Sequence, residues 1–126
     1  MNLEATPAPQ GLPRPEDLSA HFLILLYPGP GYIGMQPKTP EDGAVLMAHV
    51  GHVIHAQQPG GPALAGGPVM PLGEGGTDGA PVGLMILRGG TQEEAEQLAA
   101  ADPGVVAGHV RAVVVRWMVP KGQLGA

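Results

Sequence analysis

Short apolar runs separated by glycine and proline recur along the chain and predict its strands. Residues 22–27 are continuously apolar and are followed by a Pro-Gly pair, which is typical of a strand buried on both faces. Residues 82–87 and 110–119 form two further strands, and residues 63–68 form a weaker one because glycines interrupt it. The pattern therefore predicts four strands.

Two helix starts stand between these strands. Residues 39–42 (Thr-Pro-Glu-Asp) supply an N-cap, a proline at the first helical position and an acid three residues after the cap. They predict a helix that runs to about Gln57 or Gln58, where a Pro-Gly-Gly-Pro segment ends it. Residues 91–94 (Thr-Gln-Glu-Glu) form a second capping box, which opens an amphipathic helix through about Ala100.

The order of these elements, βαββαβ, predicts a fold of the α+β class. It is the ferredoxin-like arrangement, with an antiparallel sheet and both helices on one face. The last strand carries Val113, Val115 and Trp117 on one side and Val110, Ala112, Val114 and Met118 on the other. Both of its faces are apolar, yet two helices cover only one face of a sheet. We therefore predict a homodimer in which two copies pack sheet to sheet.

The composition favours one domain with long loops, because 126 residues include 15 prolines and 21 glycines. Residues 1–19 are rich in proline and are expected to form a disordered leader, without the basic start or apolar core of a secretory signal. Residues 20–120 form the domain, and residues 121–126 a flexible tail. The glycine-rich segment 69–80 is expected to be a flexible loop.

Charge and cysteine content exclude several classes of function. The net charge is −5, from eleven acids against six Lys or Arg, and the chain has no basic stripe, so nucleic acid is excluded as a partner. No segment has the roughly 20 apolar residues of a membrane span. The chain has no cysteine, which excludes thiol catalysis and favours a cytoplasmic location. Ser19 is the only serine, so a serine-hydrolase triad is not expected.

One short motif is misleading. Gly29, Gly31 and Gly34 match the G-x-G-x-x-G pattern directly after a strand, where a dinucleotide-binding turn would stand. In that motif the last glycines open a helix, but here the next helix begins near Pro40. Pro30 also removes one backbone donor from the phosphate cradle. The sequence therefore predicts a turn-rich loop and no dinucleotide cofactor.

Three of the histidines, His49, His52 and His55, stand three residues apart in the first helix. Each step of three slips by about 60° around a helix, so they do not converge and no metal site is predicted. The apolar stripe of this helix is Leu46, Val50, Val53 and Ile54. Only His49 borders that stripe, at the edge of the expected core. His21 and His109 stand at strand ends, where we expect them near solvent.

Four features, taken in order and spacing, resemble the YCII-related (YciI-like) domain, including the branch once called DGPF proteins. They are the strand 21–27 with Gly29-Pro-Gly31-Tyr32 after it, His49 in the first helix, Gly66-Gly67-Pro68, and Ala101-Asp102-Pro103 through Gly108 to Trp117. The resemblance covers about residues 20–120. It implies a ferredoxin-like, dimeric α+β barrel with a His and an Asp as catalytic pair, which carry over to His49 and Asp102.

The chain departs from that family pattern in its pocket rim. Ala56 stands where the family has a large apolar residue, and one extra residue lies between His49 and Gly67. The helix end is replaced by residues 59–62, and the loop 69–80 is long. These departures affect the size and rim of the pocket more than its two central residues.

The resemblance implies a small enzyme without metal or organic cofactor. A carboxylate that accepts the N–H of an imidazole fixes which nitrogen carries the proton and frees the other for acid–base work. His49 and Asp102 would then act on an unknown small molecule by isomerase, lyase or dehydrochlorinase chemistry. Tyr32, Gly67 and Pro68 are the expected substrate-binding walls.

Two alternatives stay open from the sequence. Asp102 before a proline also suits a simple turn acid that ends a helix. The domain also suits a non-catalytic ligand-binding or accessory module, because some members of the resembled family are linked with sigma-factor-type regulators. The distance between the His49 and Asp102 side chains, and the presence of a cavity beside them, distinguishes the two functions.

Overall fold

The computed structural model describes residues 11–72 and 79–124, and its elements follow the predicted order. A 3₁₀ turn at Pro15–Asp17 precedes β1 (Leu18–Pro28), α1 (Pro40–Ala56), β2 (Ala63–Pro68), β3 (Gly83–Leu87), α2 (Gln92–Ala100), α3 (Pro103–Val106) and β4 (Val110–Pro120). Part of the expected loop 69–80, residues 73–78, lies outside the described residues, as does most of the expected leader. β1 begins two residues inside the segment 1–19, which was expected to be the leader.

The four strands form an antiparallel sheet in the order β2-β3-β1-β4. The central strand β1 pairs with β4 along its whole length, from Leu18 opposite Pro120 to Pro28 opposite Val110. This strand order and the element order confirm the predicted ferredoxin-like α+β fold.

Both long helices begin where the capping patterns predicted. The Thr39 hydroxyl oxygen accepts the backbone N–H of Asp42 at 3.1 Å at the start of α1. The Thr91 hydroxyl oxygen accepts the backbone N–H of Glu94 at 3.1 Å at the start of α2. Each bond satisfies one of the backbone donors that the first helical turn leaves without a partner.

Helices cover one face of the sheet and leave the other face without a helix. Alternate side chains of the strands pack with small residues of α1 and α2 into one core: Phe22, Ile24, Leu26, Met85 and Leu87 with Ala56, Ala95 and Ala99. The side chains between them point to the opposite face: Leu23, Leu25, Leu84, Ile86, Val113 and Val115. These six are only half-buried, which leaves an apolar, helix-free face on the part of the chain that the structure describes.

Two expectations about burial are wrong. His21 and His109 were expected near solvent, but both are buried, and His109 is only 4% exposed. In the apolar stripe of α1, Val50 and Ile54 are 44% and 53% exposed, although they were expected in the core.

Among the described helices, none is long and apolar enough to span a bilayer.

Candidate functional site

A cavity of about 530 Å³ lies between α1 and the sheet. Ile24, Leu26 and Met85 of the sheet form part of its floor, and Val50 and Ile54 of α1 line it from above. This cavity explains why Val50 and Ile54 of the apolar stripe are exposed, although Val53 of the same stripe packs against the core: this part of the helix faces an open space. Ligand sites in proteins are commonly cavities of this size with mostly apolar walls.

His49 and Asp102 meet at this cavity. Nδ1 of His49 lies 2.8 Å from Oδ1 and 2.9 Å from Oδ2 of Asp102, and both residues line the cavity. The Asp102 residue is only 3% exposed, and its Oδ1 also accepts the backbone N–H of Gly104 at 2.8 Å. Because an ionised carboxylate only accepts hydrogen bonds, this geometry assigns the proton of a neutral His49 ring to Nδ1 and leaves Nε2 as a free acceptor.

The Asp-Pro turn places Asp102 by starting a further helix. Ala101 ends α2, and Asp102 leaves the helical conformation with φ −64° and ψ 121°. Pro103 then occupies the first position of α3, whose N-cap is Asp102. The short helix was missed in the sequence, although Asp followed by Pro is also a helix-start signal. The carboxylate is held by this cap at the same time as it faces His49.

Because Gly104 has no side chain, it leaves space in which His49 and Asp102 can approach each other. A Cβ at this position would lie 2.9 Å from Nδ1 of His49 and 3.2 Å from Oδ1 of Asp102, both too close for an ordinary contact. Gly104 itself is buried in α3. This glycine was not singled out from the sequence, because only the fold brings α3 against α1.

His109 is a second histidine of the site, although its position at a strand end had predicted a place near solvent. Its Nδ1 accepts the backbone N–H of Ile33 at 3.0 Å. Its ring stacks on Tyr32 with centroids 5.1 Å apart and 10° between planes, and meets the His49 ring edge-on at 5.8 Å. Burial lowers the pKa of His109, the neighbouring His49 acts in the same direction, and the Asp102 carboxylate opposes both.

The glycine-rich loop after β1 buries His109. The Gly29 N–H donates to the carbonyl of His109, and the Gly31 N–H donates to the carbonyl of Gly108, each at 2.9 Å. A Cβ at Gly29 would collide with the Gly108 carbonyl oxygen. The loop therefore folds back onto the start of β4, and α1 begins only at Pro40, as predicted.

The three predicted wall residues, Tyr32, Gly67 and Pro68, all line the cavity, Tyr32 from the loop and the other two from the edge strand β2. Two further polar side chains line it but are engaged with backbone carbonyls. His52 Nε2 lies 3.1 Å from the Leu98 oxygen, and Gln57 donates to the Val53 and Gly66 oxygens. The polar groups of the site thus concentrate around His49 and His109.

No group of three His, Asp or Glu side chains is arranged to bind a metal ion within residues 11–72 and 79–124. The three histidines of α1 point in different directions, as their spacing predicted. His49 faces Asp102, His52 faces the carbonyl of Leu98, and His55 is exposed.

No protein-family model and no curated protein sequence matches this chain. The fold is similar to that of a solved structure, the 5-chloro-2-hydroxyhydroquinone dehydrochlorinase (TftG) of Burkholderia phenoliruptrix in complex with 2,5-dihydroxybenzoquinone. The TM-score is 0.53 and the sequence identity is 22%, over 77% of this chain and 92% of that one. At this identity the likeness shows a shared fold.

Proposed function

We propose that the protein is a small enzyme of the YCII-related family that moves a proton of a small, partly apolar molecule, with His49 as the proton-transfer residue. The observation that carries the proposal is the 2.8 Å contact between Nδ1 of His49 and Oδ1 of the buried Asp102 at the wall of an apolar cavity. The reaction is of the isomerase, lyase or dehydrochlorinase type.

The chemistry follows from the two side chains. Nε2 of His49 accepts a proton from the bound molecule, and Asp102 stabilises the imidazolium ion that forms. The same Nε2–H then returns the proton to another atom, or the electron pair expels a leaving group. Asp102 does not touch the substrate in this scheme and acts as a positioning residue. Acid–base catalysis of this kind contributes about 10²–10⁴-fold in rate.

The structural neighbour suggests the first compounds to assay. That protein is a dehydrochlorinase of a chlorinated hydroxyhydroquinone, and its structure holds a dihydroxyquinone. Both molecules are flat rings with acidic hydroxyl groups, which suit a cavity that combines apolar walls with one cluster of polar groups.

The assay follows proton transfer directly. Exchange of ring or α-carbon protons for solvent deuterium in 2,5-dihydroxybenzoquinone and related carbonyl compounds is measured by NMR, and chloride release is measured with the chlorinated compound. We expect the His49→Gln variant to lose about 10²–10⁴-fold of the wild-type rate. Equal rates in the wild type and this variant would falsify the proposal.

The matched control is His55→Gln, the same substitution on an exposed histidine of α1 outside the cavity lining. It should keep the wild-type rate. Circular dichroism and the melting temperature of both variants show whether the fold is intact. A wild-type protein that binds these compounds tightly but exchanges no proton favours the alternative, a non-catalytic ligand-binding or accessory module.

We also propose that the protein is a homodimer that pairs through the helix-free face of the sheet. This face consists of Leu23, Leu25, Leu84, Ile86, Val113 and Val115. At its end Arg111 lies over the Tyr27 ring, 4.6 Å from the centroid, which gives the apolar patch a charged border. Apolar patches with a polar border mark protein–protein contacts.

A cytoplasmic location remains a prediction from the absence of cysteine.

A further inference from the structure

The two imidazoles at the cavity have opposite hydrogen-bond partners. Nδ1 of His49 faces the carboxylate of Asp102, which accepts, whereas Nδ1 of His109 faces the N–H of Ile33, which donates. A neutral imidazole carries one proton, so the partner decides which nitrogen holds it. The proton of His49 is on Nδ1, and the proton of His109 is on Nε2.

The remaining nitrogens form a complementary pair. Neither Nε2 atom has a hydrogen-bond partner among the described residues, and both rings line the same cavity with centroids 5.8 Å apart. His52 and Gln57 are bonded to backbone carbonyls instead. Of these two rings, His49 therefore presents an acceptor at Nε2 and His109 a donor at Nε2–H. Tyr32, which also lines the cavity, adds a hydroxyl group.

His109 is held neutral and in place. The titratable groups that face it are His49, Asp102 and the stacked Tyr32. Burial lowers the pKa of His109 and a charge on His49 lowers it further, against the smaller opposing effect of Asp102. Protonation of His49 during the reaction thus leaves His109 neutral, with its Nε2–H still available as a donor.

We propose that His109 is a second catalytic residue, whose Nε2–H binds the oxygen on which negative charge develops while His49 takes a proton. The inference rests on the proposed function and deepens it by naming the substrate class. That class is a conjugated carbonyl compound, enol or phenol with an acidic proton, small enough to lie against the apolar floor of the cavity.

The step balances without a further reactant. His49 Nε2 takes a proton from a carbon or oxygen conjugated with the carbonyl group, and the C–H or O–H bond breaks. Its electron pair moves into the conjugated system, and charge builds on the carbonyl oxygen, which accepts the His109 Nε2–H bond. The imidazolium of His49 then returns the proton to another atom of the same system, or the enolate expels a leaving group.

The probe is 4-nitrophenol, because its absorption spectrum distinguishes phenol from phenolate. The wild-type protein should bind it with transfer of its proton to His49, so that phenolate appears at a lower pH than in buffer. In the His109→Asn variant the side-chain oxygen still accepts the Ile33 N–H, but no atom remains near the Nε2 position. We expect phenolate affinity to fall about tenfold or more in this variant, as for loss of a hydrogen bond to a charged group.

The His109→Gln variant provides the opposite comparison. Its amide N–H reaches near the Nε2 position but cannot keep both the Tyr32 stacking and the Ile33 bond, and we expect its affinity within about threefold of the wild type. Unchanged affinity in His109→Asn overturns the inference, and so does failure of the wild type to bind phenolate. An equal loss in both variants with lowered melting temperatures also overturns it, because His109 would then only anchor the loop.

The His49→Gln variant separates this inference from the proposed function. If phenolate binding depends on His109 but not on His49, the oxyanion site stands and the assignment of His49 as proton acceptor fails. If it depends on His49 but not on His109, the proposed function stands and the inference about His109 fails. The exposed His55→Gln variant should match the wild type in both measurements.

Discussion

The carboxylate of Asp102 is shared by two donors, since its Oδ1 lies 2.8 Å from Nδ1 of His49 and 2.8 Å from the backbone nitrogen of Gly104. The backbone bond fixes the carboxylate at the N-cap of α3, independently of the histidine. Because the backbone between α2 and β4 holds this carboxylate, it also sets the orientation of the His49 ring. The imidazole is therefore oriented before any ligand binds.

Replacement of Asp102 by asparagine should reverse the tautomer of His49. The Gly104 N–H requires an acceptor, so the amide oxygen of Asp102→Asn takes that bond and its NH₂ group faces Nδ1 of His49. The His49 proton then moves to Nε2, where the free acceptor was. We expect a loss of about 10²–10⁴-fold in proton-exchange rate with little change in melting temperature.

Nitrogen-15 NMR of histidine-labelled protein checks this directly. In the wild type, His49 should show its proton on Nδ1 and His109 on Nε2. The Asp102→Asn spectrum should differ at His49 and stay the same at His109. An unchanged His49 tautomer together with lost exchange activity would show that Asp102 acts on the rate by some route other than the tautomer.

Replacement of Gly104 by alanine should separate His49 from Asp102. The added Cβ would lie 2.9 Å from Nδ1 of His49, so the imidazole has to move away from Asp102. We expect proton exchange to fall at least about tenfold, because misplacement by about 1 Å costs up to about 10²-fold. The measurement is the exchange rate, with the fold followed by circular dichroism.

Gly51→Ala is the control for that substitution. Gly51 is an exposed glycine inside α1, and a Cβ there meets nothing within 4 Å. Alanine at this helical position should keep the exchange rate and raise the free energy of unfolding by about 0.5–1 kcal/mol. A Gly104→Ala protein with wild-type activity would show that the pair tolerates this displacement.

The sequence predicted what is encoded locally and missed what depends on packing. The cap residues Thr39 and Thr91 set both long helices, because each cap bonds to an N–H three residues along the chain. The burial of His109 depends on the loop through Ile33 folding back over β4, and no local pattern encodes that contact. A polar residue at a strand end is usually exposed, so the sequence placed it near solvent.

The exposure of Val50 and Ile54 on α1 was missed for a similar reason. Hydrophobic periodicity identified the apolar side of the helix, but it carries no information about what fills the space opposite. Val50 and Ile54 therefore face the cavity instead of a packed core. The approach of His49 to Asp102 was expected from a family resemblance, and the missed helix α3 is what holds the carboxylate there.

Stability should decrease as the pH falls below the ordinary pKa of histidine, because of His109. Its folded pKa is lowered from 6.5, so between these two values the unfolded chain binds more protons than the folded protein. This contribution is complete above pH 6.5 and is lost as the pH falls toward the folded pKa. Protonation of His109 inside the fold would place a positive charge on a buried ring, which is why burial lowers its pKa.

The comparison is with His109→Asn, which keeps an acceptor for the Ile33 N–H but does not titrate. Urea unfolding of both proteins is measured from about pH 7.5 to about pH 5. The free energy of unfolding of the wild type should fall more steeply with acidification than that of the variant. Parallel curves would mean that His109 has the same pKa in the folded and unfolded chains.

A charge on the helix-free face should dissociate the proposed dimer. Val115 lies on this face opposite Leu23 of β1, near the middle of the patch. A glutamate there would lose its hydration in a sheet-to-sheet contact without an opposite charge to pair with. We expect the wild type to sediment at twice the chain mass and Val115→Glu at the chain mass, with the monomer retaining β-sheet circular dichroism.

Val106→Glu, at a valine on α3 that is 76% exposed, is the matched control and should remain dimeric. A wild-type protein that sediments as a monomer at every concentration would exclude this use of the apolar face.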